Sequence, residues 1–390
     1  MATGFQQRLE TLQRDYRAVI ETTNPVVPQA HGIFERLERP ILSAAHVPLD
    51  WRFDLDPAAN PLLLERLGIN AVFNAGAIAW EGRVRLVCRV EGWDRKSFFA
   101  IAESDDGLQG FRFVGEPVTI PQQGYDETNL YDMRLTRHED GWIYGVFCAE
   151  SHDPTAADFE TSRAVAQAGI VRTKDMERWE RLPNLKTPSP QQRNVVLHPE
   201  FVGGKYLLYT RPQDGFISAG SGGGIAWGLV ADMSDPVLPQ ETVLDPRVYH
   251  TIKESKNGAG AVPIKTDRGW IHLVHGVREC AAGLRYVVYA FVTALDEPTR
   301  VVAAPGGYLI APVGPERVGD VSNVAFINGA VSKPDGTIVM YYASSDTRMH
   351  AAITSQERLL DYCFNTPPDS ATSHGAVQQR LALIRKNRAR

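Results

Sequence analysis

Short runs of β-branched and aromatic residues alternate with glycine, Asp-Gly and proline through the middle of the chain, a pattern typical of antiparallel strands joined by tight turns. The runs recur as five units, at residues 74–118, 131–183, 193–237, 258–298 and 323–354. In each unit two strands flank a tight turn, at Glu81-Gly82, Asp140-Gly141, Gly203-Gly204, Arg268-Gly269 and Asp335-Gly336. Units of this size cannot bury both of their faces alone, so the repeat predicts an all-β fold, a five-bladed β-propeller with about four strands per blade. A β-sandwich is the structural alternative, but it does not require such regular recurrence.

Helical periodicity marks both ends of the chain, outside these units. Apolar side chains at helical spacing predict an amphipathic helix over residues 5–22, and they are Phe5, Leu9, Leu12, Tyr16, Val19 and Ile20. A second helix is predicted from Ala376, with a basic end formed by Arg380, Arg385, Lys386, Arg388 and Arg390. Cations near a helix C-terminus interact favourably with the helix dipole, and binding of an acidic partner is the alternative reading of this basic end.

These patterns divide the chain into a propeller with N- and C-terminal helical extensions. We expect an N-terminal helix and linker over residues 1–50, a catalytic propeller domain over residues 51–365 and a C-terminal helical tail over residues 366–390. The apolar stripe of the first helix has to be covered by something. It predicts either packing against the propeller or contact between subunits, and we favour a homo-oligomer.

Composition and charge exclude several classes of protein. The 390 residues contain 41 Lys and Arg against 46 Asp and Glu, a formal net charge of −5, so the chain lacks the positive field that attracts nucleic acid. No run approaches the ~20 apolar residues needed to cross a bilayer, and the N-terminus lacks a signal-peptide core, which together predict a cytoplasmic enzyme with no membrane partner. The four widely spaced cysteines, Cys88, Cys148, Cys280 and Cys363, predict reduced packing residues. The histidines show no metal-ligand spacing, and motifs for nucleotide binding, zinc proteases and serine hydrolases are missing, so we expect no metal.

Polar residues near the innermost strands are the candidates for chemistry, because the first strand of every blade lines the central channel of a propeller. The first strands begin near Asn74, Asp132, Arg134, Arg193, Asn194, Asp320 and Asn323, and the second strands end at Arg89, Glu91, Glu150, Arg211, His275 and Asp346. Units one, two and five supply acids, whereas units three and four supply Arg193, Arg211, Lys256 and His275. Charges in a narrow channel are costly unless they are paired or used. One interpretation is a set of salt bridges between blades, and the other is an acid catalyst that faces a bound anion.

Four separated segments of the sequence resemble glycoside hydrolase family 130, in the order in which that family has them. They are FNAGAI with RVEGWDRKSFFAIAES, then YDMRLTRHEDGWIYGVF, RNVVLHPEFVGGKYLLYTRP and GAGAVPIKTDRGWIHLVHGV, and the resemblance spans residues 50–363. Members of that family are five-bladed propellers, which agrees with the repeat pattern. The form Tyr-Asp-Met-Arg around Asp132, together with the N-terminal helix, is most similar to the subgroup that acts on 4-O-β-D-mannosyl-D-glucose.

The resemblance implies a role for each matched residue. Asp132 matches the single catalytic acid, which protonates the glycosidic oxygen through the 3-hydroxyl of the mannosyl unit, while inorganic phosphate replaces the water and the base of an inverting glycosidase. The implied phosphate-binding set is Arg193, Asn194, Arg211, Lys256 and His275, and the implied substrate-binding set is Asn74, Arg89, Asp94, Arg134 and Asp346. Guanidinium groups suit phosphate oxygens, and lysine adds a point charge. No cofactor is implied, because phosphate is a co-substrate.

The function that this resemblance implies is inverting phosphorolysis of 4-O-β-D-mannosyl-D-glucose to α-D-mannose 1-phosphate and D-glucose, in mannan catabolism. The same chemistry on β-1,4-mannooligosaccharides is the nearest alternative, and loops such as residues 151–166 and 213–224 would set the choice of acceptor. A β-mannoside hydrolase would need a second carboxylate about 6.5 to 9.5 Å from the acid. Glu91, Glu150 and Asp320 are conceivable bases for it. A propeller that only binds other proteins has no need for cations opposite an acid.

Overall fold

Antiparallel sheets and three α-helices make up the part of the chain that the computed structural model describes, namely residues 2–123, 127–157, 160 and 163–390. The N-terminal elements are α1 (Ala2–Glu21), β1 (Val26–Pro28) and β2 (Glu35–Leu37), followed by short 3₁₀ turns at Ala44–His46 and Leu49–Trp51. The next strands are β3 (Ile69–Trp80), β4 (Arg83–Gly92), β5 (Ser97–Ser104), β6 (Arg112–Val118), β7 (Asn129–Arg137), β8 (Ile143–His152), β9 (Ala164–Thr173), β10 (Glu180–Leu182), β11 (Val196–Val202), β12 (Lys205–Thr210), β13 (Ile225–Val230) and β14 (Thr242–Asp245). The remaining elements are β15 (Lys256–Ala259), β16 (Ile264–Thr266), β17 (Gly269–Cys280), β18 (Gly283–Thr293), β19 (Val301–Ala303), a 3₁₀ turn at Gly314–Arg317, β20 (Ala325–Ser332), β21 (Thr337–Ser344), β22 (Arg348–Ser355), α2 (Gln356–Asn365) and α3 (Ser373–Arg388).

The sheets form the five blades of a propeller, which confirms the predicted fold. The first three blades have the strand orders β3-β4-β5-β6, β7-β8-β9-β10 and β11-β12-β13-β14, and the fourth has the order β15-β17-β18-β19 with β16 also pairing with β17. Each blade begins within a few residues of a predicted unit. The predicted turns join the strands of each hairpin, with φ angles of 81° at Gly82 and 82° at Gly141, a left-handed conformation that favours glycine.

Glycines let the innermost strands approach one another closely at the centre of the ring. A Cβ atom on Gly76 of β3 would lie 2.6 Å from the carbonyl oxygen of Met133 in β7. A Cβ atom on Gly329 of β20 would lie 2.7 Å from the carbonyl oxygen of Ala75 in β3. A larger residue at either position would therefore push neighbouring blades apart. The close approach narrows the channel, so side chains from different blades come into contact there.

The N-terminal strands complete the fifth blade, which corrects the predicted domain boundary at residue 50. The strand order in this blade is β1-β2-β22-β21-β20, and Arg36 of β2 pairs with Ala352 of β22. Joining the two ends of the chain in one sheet closes the ring and covers the edge that β22 would otherwise expose. Residues 26–28 and 35–37 therefore belong to the propeller, and the N-terminal segment is not merely a helix and linker.

Helix α1 covers part of the propeller with the first half of its apolar stripe. Phe5, Leu9 and Leu12 pack in one cluster with apolar side chains from residues 49–63. Tyr16 and Ile20, further along the stripe, are only half-buried. The predicted helix over residues 5–22 is confirmed and begins earlier, at Ala2.

Two further helices end the described chain. The sequence pattern does not predict α2, which Ser355 caps by accepting a hydrogen bond from the backbone N–H of Arg358. This helix buries Leu359 and Leu360 against the fourth and fifth blades. The predicted C-terminal helix is confirmed as α3, whose last turn is basic as expected and whose side chains are all outside the core.

The cysteines are free thiols, and three of them serve as packing residues, as predicted. Cys88, Cys148 and Cys363 are buried, whereas Cys280 at the end of β17 is partly exposed. Within the described residues, no helix is both long enough and apolar enough to cross a membrane.

Candidate active site

A polar pocket opens at the centre of the propeller and receives side chains from every blade. Its lining consists of Asn74, Arg89, Tyr131, Asp132, Arg193, Asn194, Arg211, Lys256, His275, Tyr286, Val321, Val324, Phe326 and Asp346. Blades two and five contribute the two carboxylates, blade one contributes Asn74 and Arg89, and blades three and four contribute the lysine and two of the three arginines. The acids of units two and five and the cations of units three and four therefore lie where the sequence predicts, whereas unit one supplies Arg89 to the lining and no acid.

Backbone bulges turn two of these side chains into the channel. The register between β3 and β4 shifts between Phe73 and Gly76, and the register between β7 and β8 shifts between Tyr131 and Arg134. At these points Asn74 and Asp132 adopt left-handed backbone conformations, with φ angles of 47° and 62°. Asparagine and aspartate tolerate this region better than most residues, and bulges commonly re-aim side chains next to active sites. The amide Nδ2 of Asn74 donates a hydrogen bond to Oδ1 of Asp132 at 2.9 Å.

Arg89 holds the same carboxylate from a second direction. Its Nη1 lies 3.4 Å from Oδ1 of Asp132, while its Nη2 donates to Glu91 and its Nε donates to Ser97, both at 2.9 Å. The guanidinium also lies over the ring of Tyr131, 4.6 Å from the centroid. The Asp132 carboxylate is thus held in one orientation by donors on neighbouring strands, which preorganises it for chemistry in the pocket.

Asp346 is the second carboxylate of the pocket. It follows β21 in a turn where Ser345 and Asp346 both have left-handed backbones, with φ angles of 48° and 50°. Burial, reinforced by the nearby charges of Asp132 and Glu91, raises the pKa of Asp346 to about 7, although Arg89 opposes the shift. Asp346 is therefore substantially protonated at neutral pH and can donate a hydrogen bond to a sugar hydroxyl.

The opposite wall concentrates positive charge. Arg193, Arg211 and Lys256 line it, and among the described residues no carboxylate lies within ion-pair distance of any of them. Burial and the charge of Arg193 lower the pKa of Arg211 to about 10. Burial and the charges of Arg211 and Arg193 lower the pKa of Lys256 to about 7. An anion bound between these cations would relieve their repulsion, so this wall has the charge that could hold one.

Neutral partners fix the cations in place. Arg193 donates from Nη1 to the carbonyl oxygen of Phe216 at 3.1 Å and from Nη2 to the hydroxyl of Tyr131 at 3.2 Å. Nη1 of Arg211 lies 3.5 Å from Nε2 of His275. Burial and the surrounding cations, Arg211 first among them, lower the pKa of His275 well below its ordinary value, so its ring is neutral. These contacts orient the guanidinium groups without cancelling their charge.

Arg134 lies beneath the pocket and supports its floor. It is 1% exposed and is not part of the lining. Its guanidinium donates to the carbonyl oxygen of Asp132 at 2.8 Å and to Oδ1 of Asn194 at 2.9 Å. Because it reaches both walls from behind, its position indicates support of Asp132 and Asn194, whereas the sequence predicts direct contact with the sugar.

Asp94 lies outside the pocket, which corrects its predicted place on the sugar-binding wall. It is exposed in the turn between β4 and β5, where Oδ1 accepts a hydrogen bond from the backbone N–H of Lys96 at 3.1 Å. Short acidic side chains commonly stabilise turns in this way. The remaining predicted residues line the pocket, namely Asn74, Arg89, Asp132, Arg193, Asn194, Arg211, Lys256, His275 and Asp346.

Sequence reasoning misses five lining residues, Tyr131, Tyr286, Val321, Val324 and Phe326. Tyr131 precedes Asp132, and in a regular strand it would point away from the channel; the bulge gives both side chains access to the pocket. The apolar residues look like ordinary core in the sequence. A polar residue inside an innermost strand, here Asp132, can mark a β-bulge, and this is the one sequence feature that could have indicated Tyr131.

The carboxylates considered as hydrolytic bases lie elsewhere. Glu91 accepts hydrogen bonds from Arg89 and Asn70, and Glu150 accepts one from Tyr131. Asp320 is exposed. None of these three belongs to the pocket lining. Among the described residues, no group of three or more His, Cys, Asp or Glu side chains is arranged to hold a metal ion.

The fold and the pocket together define an enzyme of the five-bladed β-propeller class. A model of glycoside hydrolase family 130, described as β-1,4-mannooligosaccharide phosphorylase, matches residues 38–365. The chain therefore belongs to glycoside hydrolase family 130.

Several known proteins are similar to the chain over most of its length. A 4-O-β-D-mannosyl-D-glucose phosphorylase from Bacteroides fragilis is 56% identical over 383 residues, which cover 98% of each chain. A β-1,4-mannooligosaccharide phosphorylase from Ruminococcus albus is 30% identical over 338 residues, which cover 80% of this chain and 90% of the relative. The solved structure of a β-1,2-mannobiose phosphorylase from Listeria innocua superimposes with a TM-score of 0.67 at 22% identity, covering 84% of this chain and 98% of the other. This last likeness supports the fold.

Proposed function

We propose that the protein is an inverting glycoside phosphorylase that cleaves 4-O-β-D-mannosyl-D-glucose with inorganic phosphate and releases α-D-mannose 1-phosphate and D-glucose. The observation that carries the proposal is the set of pocket-lining cations, Arg193, Arg211 and Lys256, opposite Asp132. A hydrolase that uses water has no need for these cations, whereas an enzyme that binds a phosphate dianion needs them to hold it. The relative from Bacteroides fragilis, at 56% identity, supports the same substrate.

Asp132 acts as the general acid. Its proton passes through the mannosyl 3-hydroxyl to the glycosidic oxygen, and the bond between this oxygen and the anomeric carbon breaks. A phosphate oxygen forms the new bond to that carbon from the opposite face, which inverts the β-linkage into an α-phosphate. The proton that the phosphate carries returns to Asp132, so the enzyme ends in its starting state.

The other lining residues bind the two substrates. Arg193, Arg211 and Lys256, with Asn194 and His275 beside them, bind phosphate and leave one oxygen directed at the sugar. Asn74, Arg89 and Asp346 bind the mannosyl unit beside Asp132, and Arg134 supports the floor of the site. No metal or organic cofactor takes part in this scheme.

A phosphate-dependence assay tests the proposal. We expect purified protein to consume the disaccharide only when inorganic phosphate is present, and to do so at a rate that saturates with phosphate. Sulfate at the same ionic strength serves as the control anion. Equal cleavage without phosphate would overturn the proposal and favour a hydrolase.

The same chemistry on β-1,4-mannooligosaccharides is the second candidate, favoured by the description of the family model. The two candidates differ in the acceptor that the reverse reaction uses. We expect glucose to be a better acceptor than mannose with α-D-mannose 1-phosphate as the donor, and the opposite ranking would establish the second candidate. Of the loops expected to set this choice, residues 158, 159, 161 and 162 of the segment 151–166 lie outside the described residues.

The proposal extends to the setting of the enzyme. A cytoplasmic location and a role in mannan catabolism suit a reaction that yields a charged sugar phosphate directly from a disaccharide. An assembly of identical subunits suits helix α1, whose Tyr16, Val19 and Ile20 remain half-buried. Light scattering of the full chain and of a variant lacking residues 1–24 tests the assembly.

A further inference from the structure

Tyr131 links the two walls of the pocket. Its ring lies beneath the guanidinium of Arg89, 4.6 Å from the centroid, on the side of Asp132. Its hydroxyl accepts a hydrogen bond from Nη2 of Arg193 at 3.2 Å on the cationic side. The same hydroxyl donates to Oε2 of Glu150 at 2.6 Å. Tyr131 is 3% exposed, so its own side chain is shielded from water in all three contacts.

The direction of these hydrogen bonds follows from the chemistry of the groups. An arginine only donates and an ionised glutamate only accepts, so the phenol must give its proton to Glu150 and its lone pair to Arg193. Glu150 thereby fixes the rotation of the Tyr131 hydroxyl. Glu150 forms no ion pair with Arg193 and contacts it only through the phenol oxygen of Tyr131, and Glu150 itself is not part of the lining.

A direct carboxylate partner would compete with phosphate for Arg193. Instead, the phenol of Tyr131 binds one terminal nitrogen of Arg193, and the carbonyl oxygen of Phe216 binds the other at 3.1 Å. The guanidinium carbon also lies 4.3 Å from the centroid of the Phe216 ring. Each terminal nitrogen of arginine carries two N–H groups, so each keeps one for an anion. The guanidinium is thus fixed in position and remains available.

We infer that Tyr131 and Glu150 are positioning residues that orient Arg193 for phosphate. The inference rests on the proposed function and deepens it, because it says that residues outside the set of cations align the phosphate nucleophile. Tyr131 acts on Arg193 through its hydroxyl, and Glu150 acts on Tyr131. Neither needs to take part in proton transfer to the sugar.

The first test removes only the hydroxyl. For Tyr131→Phe we expect the KM for phosphate to rise about tenfold, the size of one hydrogen bond to a charged group, with the KM for the disaccharide little changed. Tyr144→Phe is the matched control, because Tyr144 is a buried tyrosine of the same blade whose hydroxyl donates to Asp140 at 2.8 Å, away from the pocket. This control should leave both KM values unchanged.

The second test separates orientation from charge. Glu150→Ala should raise the KM for phosphate as Tyr131→Phe does, because the hydroxyl of Tyr131 loses its acceptor. Glu150→Gln should restore a KM near that of the wild type, because the amide oxygen still accepts the phenol proton. A role of Glu150 through its charge alone would instead make the Gln and Ala variants equally defective, and this result would overturn the inference.

Measuring phosphate binding in the absence of the disaccharide tests the inference separately from the proposed function. Phosphate should raise the melting temperature of the wild type, and the rise should be smaller in Tyr131→Phe and in Glu150→Ala. If the wild type cleaves the disaccharide without phosphate, the proposed function fails, and this binding experiment still decides the inference. The inference would be overturned if phosphate left the melting temperature of the wild type unchanged, or if the folded variants bound phosphate as well as the wild type does. If Tyr131→Phe does not fold, the two Glu150 variants decide.

Discussion

At the scale of single residues, the pocket depends on side chains that an ordinary strand would point elsewhere. Asp132 has a left-handed backbone with a φ of 62°, at a bulge where β7 loses register with β8. Such conformations cost of order 1–3 kcal/mol and persist where surrounding structure enforces them. Hydrogen bonds from Asn74 and Arg89 to Oδ1 contribute to that enforcement here. The strain lies at the residue that we propose as the general acid.

Removing the proton of Asp132 should abolish catalysis and leave the fold intact. For Asp132→Asn we expect kcat to fall about a thousandfold, because general acid catalysis contributes on this scale and asparagine has no acidic proton to give. Asparagine also tolerates the left-handed backbone, so the variant should fold. Release of glucose in the presence of phosphate measures the loss. Asp335→Asn, at an exposed aspartate in the turn between β20 and β21, is the control, and a Asp132→Asn variant as active as this control would contradict the role.

The ionisation of Asp346 should weaken the fold as pH rises. Its pKa is raised from 3.8 to about 7, so the folded state holds a proton that the unfolded state has lost, and stability falls as pH rises from about 4 through 7. Asp346→Asn removes this cost. We therefore expect the variant to gain stability over the wild type, by roughly 2 kcal/mol more at pH 8 than at pH 5.5. Urea unfolding at both pH values measures it, and a gain that is independent of pH would contradict the assigned pKa.

At the scale of the elements, closure of the ring is the feature that holds the pocket together. Arg36 of β2 forms its buried ion pair with Glu316, at 2.6 Å, in the segment that leads to the lining residue Val321. Tyr342 of β21 donates to the same carboxylate at 2.8 Å. Strand pairing at the N-terminus and the shape of the pocket rim are thus connected through one buried carboxylate.

Breaking this buried ion pair should lower the free energy of unfolding substantially, although the pair lies away from the pocket. For Arg36→Met we expect a loss of about 3 kcal/mol, because Glu316 is left buried without its cation. Arg300→Met is the matched control, since Arg300 pairs with Glu297 and Asp296 at the surface, where such pairs contribute little. Urea unfolding gives both values. Equal losses in the two variants would contradict this account of ring closure.

The elements differ in how far the sequence predicts them. The hairpins of the five blades carry β-branched runs and turn signals, and these are sufficient to place them. Strands β1 and β2 have three residues each, and Pro28 stands in the exposed outer one, so they show no periodicity that could identify them. Their pairing with β22 comes from closing the ring, a long-range event that local patterns do not encode. Helix α2 has only ten residues, so the capping Ser355, the acidic Glu357 in its first turn and a short apolar face are its local signals.

At the scale of the whole molecule, the pocket exists only when all five blades are assembled. Separate motifs indicate Asp132, Arg193 and His275, because each falls in a recognisable segment. They do not indicate that Asp94 stays in a turn or that Arg134 lies beneath the floor of the pocket. The distance of each side chain from the pocket depends on how the strands are placed in the assembled ring. Val324 and Phe326 resemble core residues in the sequence, and only the assembled ring gives them a functional surface.

The assembled core also makes stability depend on pH in the acidic range. Burial lowers the pKa of His46 and His350 to about 4, and that of His198 and His272 to about 3. These rings stay neutral in the folded state and gain protons only in the unfolded state, so their contribution is complete above about pH 6.5 and is lost as pH falls toward 3 to 4. Each histidine should remove about 1.4 kcal/mol per pH unit over that range. Melting temperatures from pH 7.5 to 5 test this, and a flat profile would contradict it.

The central claim is that inorganic phosphate, held by the cations of blades three and four, is the nucleophile. The most direct measurement is NMR identification of the products formed from 4-O-β-D-mannosyl-D-glucose and phosphate. We predict one α-D-mannose 1-phosphate for every glucose released, with no free mannose. Free mannose in place of the sugar phosphate, or a β-configured phosphate, would contradict the account.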